Sequence, residues 1–228
     1  MRNLRPLLLP LLLVACASDH EASVKPGINE PYLKPDVDVD AFVKRFEVES
    51  REIYKNRVAI AVAAGFKAGM HVADVGAGTG LFTEIMARAV GPEGKVYAVD
   101  IVPRFIDHLQ QRAREKGLTN VTPVLCKEDS VELPEACVDL VFLCDTYHHF
   151  EYPKATLASI RRALRPGGQL VVVDFERIPG QSSAWTLEHV RAGKDVVVRE
   201  IGEAGFVLDP HSGLPALTEN YFVRFTRK

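Results

Sequence analysis

The sequence predicts an α/β protein built on one doubly wound, mostly parallel sheet, and three observations carry the prediction. From residue 71 onward, short runs rich in valine and leucine alternate with longer stretches of helical periodicity. The runs lack the period-two alternation of a half-exposed strand, as expected when helices cover both faces of the sheet. The first run, Val72-Ala73-Asp74-Val75, passes straight into Gly76-Ala77-Gly78-Thr79-Gly80 and then into a helix-like segment. Strand, glycine turn and helix in that order make a small-molecule cradle, because glycine lets backbone approach a ligand and the helix start offers free N–H groups. A length of 228 residues suits one large domain and is short for two.

Taken in order, the chain opens on a basic head, Met1-Arg2-Asn3-Leu4-Arg5, followed by a nearly unbroken apolar run over residues 6–15. That run falls short of the roughly 20 apolar residues of a membrane span and reads as a signal peptide over residues 1–15. Residues 16–40 hold Pro26, Gly27, Pro31 and Pro35 among polar residues, the composition of an extended tether. Residues 41–228 are the expected folded domain. It begins with a helical cap within 40–64, where Phe42, Phe46, Ile53 and Ile60 are spaced for one helix or a pair. Strands are expected at 71–75, 95–99, 121–125, 138–144 and 169–174, with helices at 81–90, 103–116 and 152–164. A long helix at 184–204, a short strand at 206–208 and a last strand at 221–227 complete the domain.

Composition narrows the function. Hydrophobic residues make up 47% and charged residues 25%, ordinary for a water-facing globule. The net charge of −2, with Lys and Arg scattered among acids, argues against nucleic acid as a partner, which calls for a basic stripe. Cys126, Cys137 and Cys144 are expected as buried thiols. Cys126 should follow the carboxyl end of one strand and Cys137 precede the start of another, farther apart than the roughly 7 Å a disulfide tolerates.

The glycine loop reads G-x-G-x-G rather than the G-x-G-x-x-G of a dinucleotide fingerprint. With Asp74 two residues before the first glycine, it resembles the first motif of the class I S-adenosylmethionine-dependent methyltransferases. Further segments are similar to that family in the family's order: Val96-Tyr97-Ala98-Val99-Asp100, Lys127-Glu128-Asp129-Ser130, Leu133-Pro134 before Val138-Asp139-Leu140-Val141-Phe142, and Leu164-Arg165-Pro166-Gly167-Gly168. The resemblance covers roughly residues 50–228. It implies a Rossmann-like methyltransferase fold with seven strands in the order 3-2-1-4-5-7-6, the last antiparallel. It also implies S-adenosyl-L-methionine as cofactor and methyl transfer to a small-molecule acceptor.

Carried onto this chain, the resemblance implies cofactor contacts at Asp74, Gly76, Ala77, Gly78, Gly80, Asp100, Ile101, Asp129, Ser130 and Asp145. Asp74 would receive the region of the methionine ammonium. Asp100 would accept from the ribose hydroxyls, as an acceptor-only group can. Ile101 would pack on the adenine, and Asp129 and Ser130 would meet its edge. The segment Asp145-Thr146-Tyr147-His148-His149 would face the transferring methyl, with Tyr147 touching substrate and His148 or His149 as general base. His189 and Arg191 are further substrate candidates, and Arg51 and Tyr54 are candidates to close over the cofactor. No metal is expected, since adjacent histidines do not complete a tetrahedral set and no Cys or His pair at ligand spacing accompanies them.

The leader resembles that of a bacterial lipoprotein: Leu13-Val14-Ala15-Cys16 is similar to a lipobox, with Cys16 the acylated first mature residue. The expected location is the cell envelope, on a lipid anchor, or the cytoplasm if the leader is not used. Two rivals stay open. Aminopropyl transferases share the fold and use a decarboxylated cofactor, and a non-catalytic envelope lipoprotein would keep the fold as a binding module.

Overall fold

A computed structural model describes residues 21–228. The expected leader, the expected lipidation site Cys16 and the first residues of the expected tether lie outside the described residues. The domain starts with α1 (Val39–Phe46), α2 (Glu52–Lys55) and α3 (Arg57–Ala64), then alternates β1 (His71–Val75), α4 (Leu81–Val90), β2 (Lys95–Asp100), α5 (Pro103–Glu115), β3 (Val121–Leu125) and β4 (Val138–Cys144). It continues through a 3₁₀ turn (Tyr147–His149), α6 (Pro153–Ala163), β5 (Leu164–Phe175), α7 (Ala184–His189), α8 (Lys194–Glu203), β6 (Phe206–Leu208) and β7 (Asn220–Arg227). The seven strands form one sheet in the order β3-β2-β1-β4-β5-β7-β6. Strands β1 to β5 pair parallel, and β7 runs antiparallel to both β5 and β6.

Helix boundaries follow local chemistry. Asp38 caps α1 by accepting from the Ala41 N–H at 3.0 Å, and Ser183 caps α7 by accepting from Thr186. Helices α5 and α6 each begin with proline in the first turn, where its missing N–H costs nothing. The single helix expected over 184–204 is broken between α7 and α8. The intervening backbone extends at Val190 and Gly193, so that Val190 and Ala192 are both buried.

Each central strand feeds two cores, one residue after another. Ala73, Val75, Val141 and Leu143 enter a layer with Leu157, Ile160 and Ile201. Val72, Leu140 and Phe142 enter the opposite layer with Ile60, Phe82 and Met86. Burial on both faces accounts for the continuous apolar runs in the sequence.

The stretch expected as an extended tether is, over residues 21–38, a series of turns docked on the domain. The Glu21 carboxylate accepts from the Lys154 and Ala155 N–H groups at 3.0 and 2.8 Å, at the start of α6. The Val24 N–H donates to the Glu151 carbonyl, and Ile28, Asn29 and Val37 are buried. Proline and glycine here serve turns rather than extension. Among the described residues no helix is long and apolar enough to cross a membrane.

Candidate active site

The strand order reverses between β1 and β4, and in an open parallel sheet the crevice at the strands' carboxyl ends is where ligands bind. A cavity of about 330 Å³ lies there, reaching from Gly76, Gly78 and Asp100 to His148, His149 and His189. A smaller one of about 100 Å³, lined by Asp74, Ala77 and Thr79, adjoins it and shares Gly76, Gly78 and Asp145.

Two glycines of the loop have different structural reasons. Gly76 has φ +74, and a Cβ there would stand 2.3 Å from the Thr146 side chain, so backbone and neighbour both demand glycine. Gly78 has φ +52, but a Cβ there would meet nothing nearer than the Gly76 carbonyl at 3.9 Å. Only the positive φ calls for glycine there, and the cavity that Gly78 lines has room beside it for a ligand. The loop is held from beneath by Asp100, whose carboxylate accepts from the Gly78 N–H at 2.8 Å and the Val102 N–H at 2.9 Å.

Three buried carboxylates border the cradle. Burial pushes Asp74 up to about 7, against a lowering hydrogen bond from Thr83. Burial likewise raises Asp100 to about 6, and Asp145 to about 6 despite the opposing Arg51 guanidinium. Arg51 pairs with one oxygen of Asp145, and the Asn220 amide donates to the other at 2.6 Å. Asp145 itself sits at φ +50, a costly conformation for a non-glycine residue and one concentrated at functional sites. An acid-rich cradle favours a ligand carrying positive charge and repels phosphates.

The other end of the cavity is aromatic and imidazole-rich. The buried His148 contacts Asp174 through Nδ1 at 2.7 Å, and Asp174 also accepts from the backbone N–H groups of His148 and Phe175. A carboxylate only accepts, so Nδ1 carries a proton. Asn29 donates its amide to the His149 carbonyl at 3.0 Å and turns its oxygen to His149 Nδ1 at 3.2 Å, which fixes the same tautomer. Trp185 stacks on His189 with ring centres 4.7 Å apart. Burial, with the neighbouring histidines, pushes His149 down to about 2 and His189 to about 4; both rings are neutral near pH 7.

Most of the expected site converges. Gly76, Gly78, Asp100, Ile101, Asp145, His148, His149 and His189 line the main cavity, and Asp74 and Ala77 line the adjoining one. Gly80 lines neither; its φ of +87, and the Leu109 side chain 2.8 Å from where a Cβ would stand, make it a helix-entry residue. Asp129 is exposed and faces a neighbouring surface groove that also contains Ile101. The Ser130 N–H is turned to the Lys127 carbonyl.

Tyr147 and Arg191, expected at the substrate, lie elsewhere. Tyr147 is fully buried, its hydroxyl donates to Glu200 at 2.8 Å, and Arg191 pairs with the same carboxylate while lying over the tyrosine ring. A 3₁₀ turn sends successive side chains about 120° apart, so Tyr147 points into the core while His148 and His149 reach the cavity. Arg51 lines the cavity as expected, whereas Tyr54 packs under Arg57. The structure adds Asn29, Tyr32, Phe175 and Trp185 to the lining, and Asp174 behind His148. Asp174 has a sequence signal: like Asp74 and Asp100, it is an acid ending a run of apolar strand residues.

A family model described as a methyltransferase domain matches residues 66–204. The ubiquinone/menaquinone biosynthesis C-methyltransferase UbiE of Burkholderia cenocepacia is 33% identical over 116 residues, covering 50% of this chain and 47% of that protein. The chain thus spans about half the length of the UbiE proteins it matches. Among solved structures, a SAM-dependent methyltransferase from Aquifex aeolicus superposes with TM-score 0.74 at 23% identity, over 85% of this chain and 100% of that one. Geranyl diphosphate C-methyltransferase from Streptomyces coelicolor A3(2), in complex with Mg2+, geranyl diphosphate and S-adenosyl-L-homocysteine, superposes with TM-score 0.64 at 16% identity over 92% and 91%. These structural likenesses concern the fold; the match over residues 66–204, together with the glycine-and-acid cradle, settles the family. The chain belongs to the class I S-adenosylmethionine-dependent methyltransferases.

Proposed function

We propose that this protein transfers a methyl group from S-adenosylmethionine to a small, flat acceptor seated at the end of the cavity lined by His148, Trp185 and His189. The carrying observation is one continuous cavity with two chemically different ends. The cradle end suits the cofactor: Gly78 leaves room, Asp100 offers acceptors to hydroxyls, and buried Asp74 and Asp145 favour the cation. The cofactor supplies an activated methyl on a positively charged sulfur. The protein aligns the acceptor with it, excludes water and disposes of the acceptor's proton; alignment alone is worth up to about 7–11 kcal/mol in the best intramolecular cases.

The aromatic walls from Trp185, Phe175 and Tyr32 favour a flat acceptor, since aromatic rings combine large contact area with stacking preference. His148, with its Nδ1 proton held by Asp174, presents the Nε2 lone pair where the acceptor loses its proton. Calorimetric titration with S-adenosylhomocysteine tests the cofactor half. Micromolar binding, lost in Asp100→Ala, is expected; undiminished binding in that variant, or no binding by folded protein, refutes the reading and favours a binding module without catalysis. For the amino terminus we infer lipid anchoring through Cys16, supported by Leu13-Val14-Ala15-Cys16. Incorporation of labelled fatty acid that disappears in Cys16→Ala is expected, and unchanged incorporation refutes it.

A further inference from the structure

Three of the chain's seven histidines meet at the acceptor end of the cavity, although His189 follows His149 by 40 positions. One ring nitrogen from each of His148, His149 and His189 lies within 4.8 Å of the other two. The ring centres are 5.2 Å apart for His148 and His189, 5.2 Å for His149 and His189, and 4.3 Å for His148 and His149. Three imidazoles on one tetrahedral zinc ion, with Zn–N near 2.05 Å, have ring centres about 5.2 Å and ligating nitrogens about 3.3 Å apart. Two of the three ring spacings already match, and the nitrogens need to close by an ångström or so.

Proximity alone would leave a histidine cluster, but the tautomers are also set for ligation. The His148 Nδ1–H donates to Asp174, and the His149 Nδ1–H donates to the Asn29 oxygen. In both rings Nε2 is therefore the nitrogen left to ligate a metal. A carboxylate or amide oxygen on the far nitrogen is the partner that metal-bound histidines characteristically have, because it fixes ring orientation and raises basicity. His189 is held by Trp185 stacked on its face at 4.7 Å and by Lys25, which donates to the His189 carbonyl at 2.6 Å. The Lys25 ammonium is engaged with backbone carbonyls, and Asp174, in contact with His148 at 2.7 Å, offsets part of the added positive charge.

We infer that His148, His149 and His189 form a three-histidine site for a divalent transition metal of the zinc class, with Asp174 and Asn29 as its orienting partners. Neutral imidazoles suit zinc, copper, iron and nickel better than magnesium or calcium. Three protein ligands leave a fourth position open toward the cavity, the arrangement of catalytic rather than structural zinc. The part of this inference that concerns chemistry rests on the methyltransferase reading above. An acceptor hydroxyl meeting the ion at the open position gives its proton to solvent near neutral pH, and the oxyanion then displaces the sulfur, the C–S electron pair leaving with S-adenosylhomocysteine. The acceptor class is accordingly a flat molecule with a hydroxyl at the methylated atom, its oxygen gaining the O–C bond as the C–S bond breaks. With metal present, the His148 lone pair binds the ion and no longer takes the proton itself.

The test uses untagged protein and the metal alone. Zn2+ or Co2+ is added, the sample is passed through metal-free buffer, and retained metal is counted per chain. One equivalent is expected, with the strong visible bands of four-coordinate cobalt. His189→Ala should abolish retention and the bands. Asp174→Asn keeps all three ligands and should weaken binding about 10–100-fold; where that buried change impairs folding, the half-buried His189 still decides. His211→Ala, at an exposed histidine outside the site, should change nothing. Substoichiometric retention, or one equivalent that survives His189→Ala, overturns the inference. Titrating S-adenosylhomocysteine into the same samples separates the two claims: metal without cofactor refutes the methyltransferase reading alone, and cofactor without metal refutes the metal site alone.

Discussion

Gly76 and Gly78 stand two residues apart in the cradle, both at positive φ, and their substitution carries separable costs. In Gly76→Ala the new methyl would sit 2.3 Å from Thr146 Cγ2 and Oγ1 and 2.8 Å from its Cβ. Left-handed backbone costs an alanine roughly 1–2 kcal/mol, and overpacking adds about 1–3 kcal/mol. The expected loss is about 2–5 kcal/mol, a fall in Tm of roughly 4–20 °C for a domain of this size. In Gly78→Ala only the backbone term applies, about 1–2 kcal/mol, because the Cβ meets empty cavity. There the loss falls on ligand affinity, expected to drop at least about tenfold, or 1.4 kcal/mol.

A double-mutant cycle isolates the contact. Thr146→Gly removes all three clashing atoms, along with the Oγ1 bond to the Cys144 carbonyl, so Gly76→Ala in that background should cost only the backbone term. The coupling energy is then about 1–3 kcal/mol, read by urea denaturation of the four proteins. Strict additivity would refute the steric account of Gly76. Unchanged affinity of Gly78→Ala for S-adenosylhomocysteine would refute the assignment of that space to the cofactor.

Charge and packing set the remaining expectations. Asp74 has a folded value near 7, above its ordinary 3.8, so its contribution to stability is complete below about pH 4 and is lost as pH rises through 7. The ligand-free protein should gain stability at pH 8 on Asp74→Asn relative to its effect at pH 5, and equal effects at both would refute the burial argument. Because a cationic ligand favours the ionised forms of Asp74, Asp100 and Asp145, binding should release protons. Affinity for S-adenosylmethionine should then fall as pH drops from 7 toward 6, by up to about tenfold per unit for each proton released; calorimetry in buffers of different ionisation enthalpy counts those protons. Tyr147→Phe should lose a hydrogen bond to a charged group, about 1.5–3 kcal/mol, while Glu200 keeps Arg191. Cofactor affinity should not change, and a specific loss of turnover without loss of stability would return Tyr147 to the substrate.

The cradle is legible in the sequence because its chemistry is local. A strand, an acid, three glycines and a helix occupy consecutive positions, and each residue's reason for being there can be read without knowing its neighbours in space. The acid ending β2 follows the same grammar, and so does Asp174 at the end of β5, although nothing local ties that acid to a histidine. The acceptor end is hidden for the opposite reason. His189 reaches His148 only because the expected long helix breaks at Val190–Gly193, and the burial of Val190 and Ala192 that drives the break leaves no mark on helical periodicity. Asn29 and Tyr32 stand in turns whose composition is that of a tether, and it is contacts distant in sequence, Glu21 and Val24 with the α6 region and Asn29 with His149, that show the segment is docked. Tyr147 departs from its expected place because a 3₁₀ turn separates neighbours in direction, so adjacency in sequence does not mean a shared face.

The two ends of the cavity differ in charge, one acidic and one not, and methyl transfer as proposed above changes the charge at their junction. Before transfer the sulfur is cationic, matching Asp74, Asp100 and Asp145, whose burial makes isolated ionisation costly. After transfer the sulfur is neutral and that attraction weakens, so the product is held less tightly by the same groups. Without a bound ion, His149 and His189 add no positive charge at the imidazole end; with the inferred metal in place, an anionic acceptor oxygen on the ion offsets part of its charge. An acceptor that becomes anionic there completes the match: opposite charges meet across the transferring carbon and cancel as the bond forms. Charge complementarity is therefore greatest in the bound reactants and least in the products, so the groups that hold the cofactor also let the product leave, while acceleration of the chemical step falls to alignment.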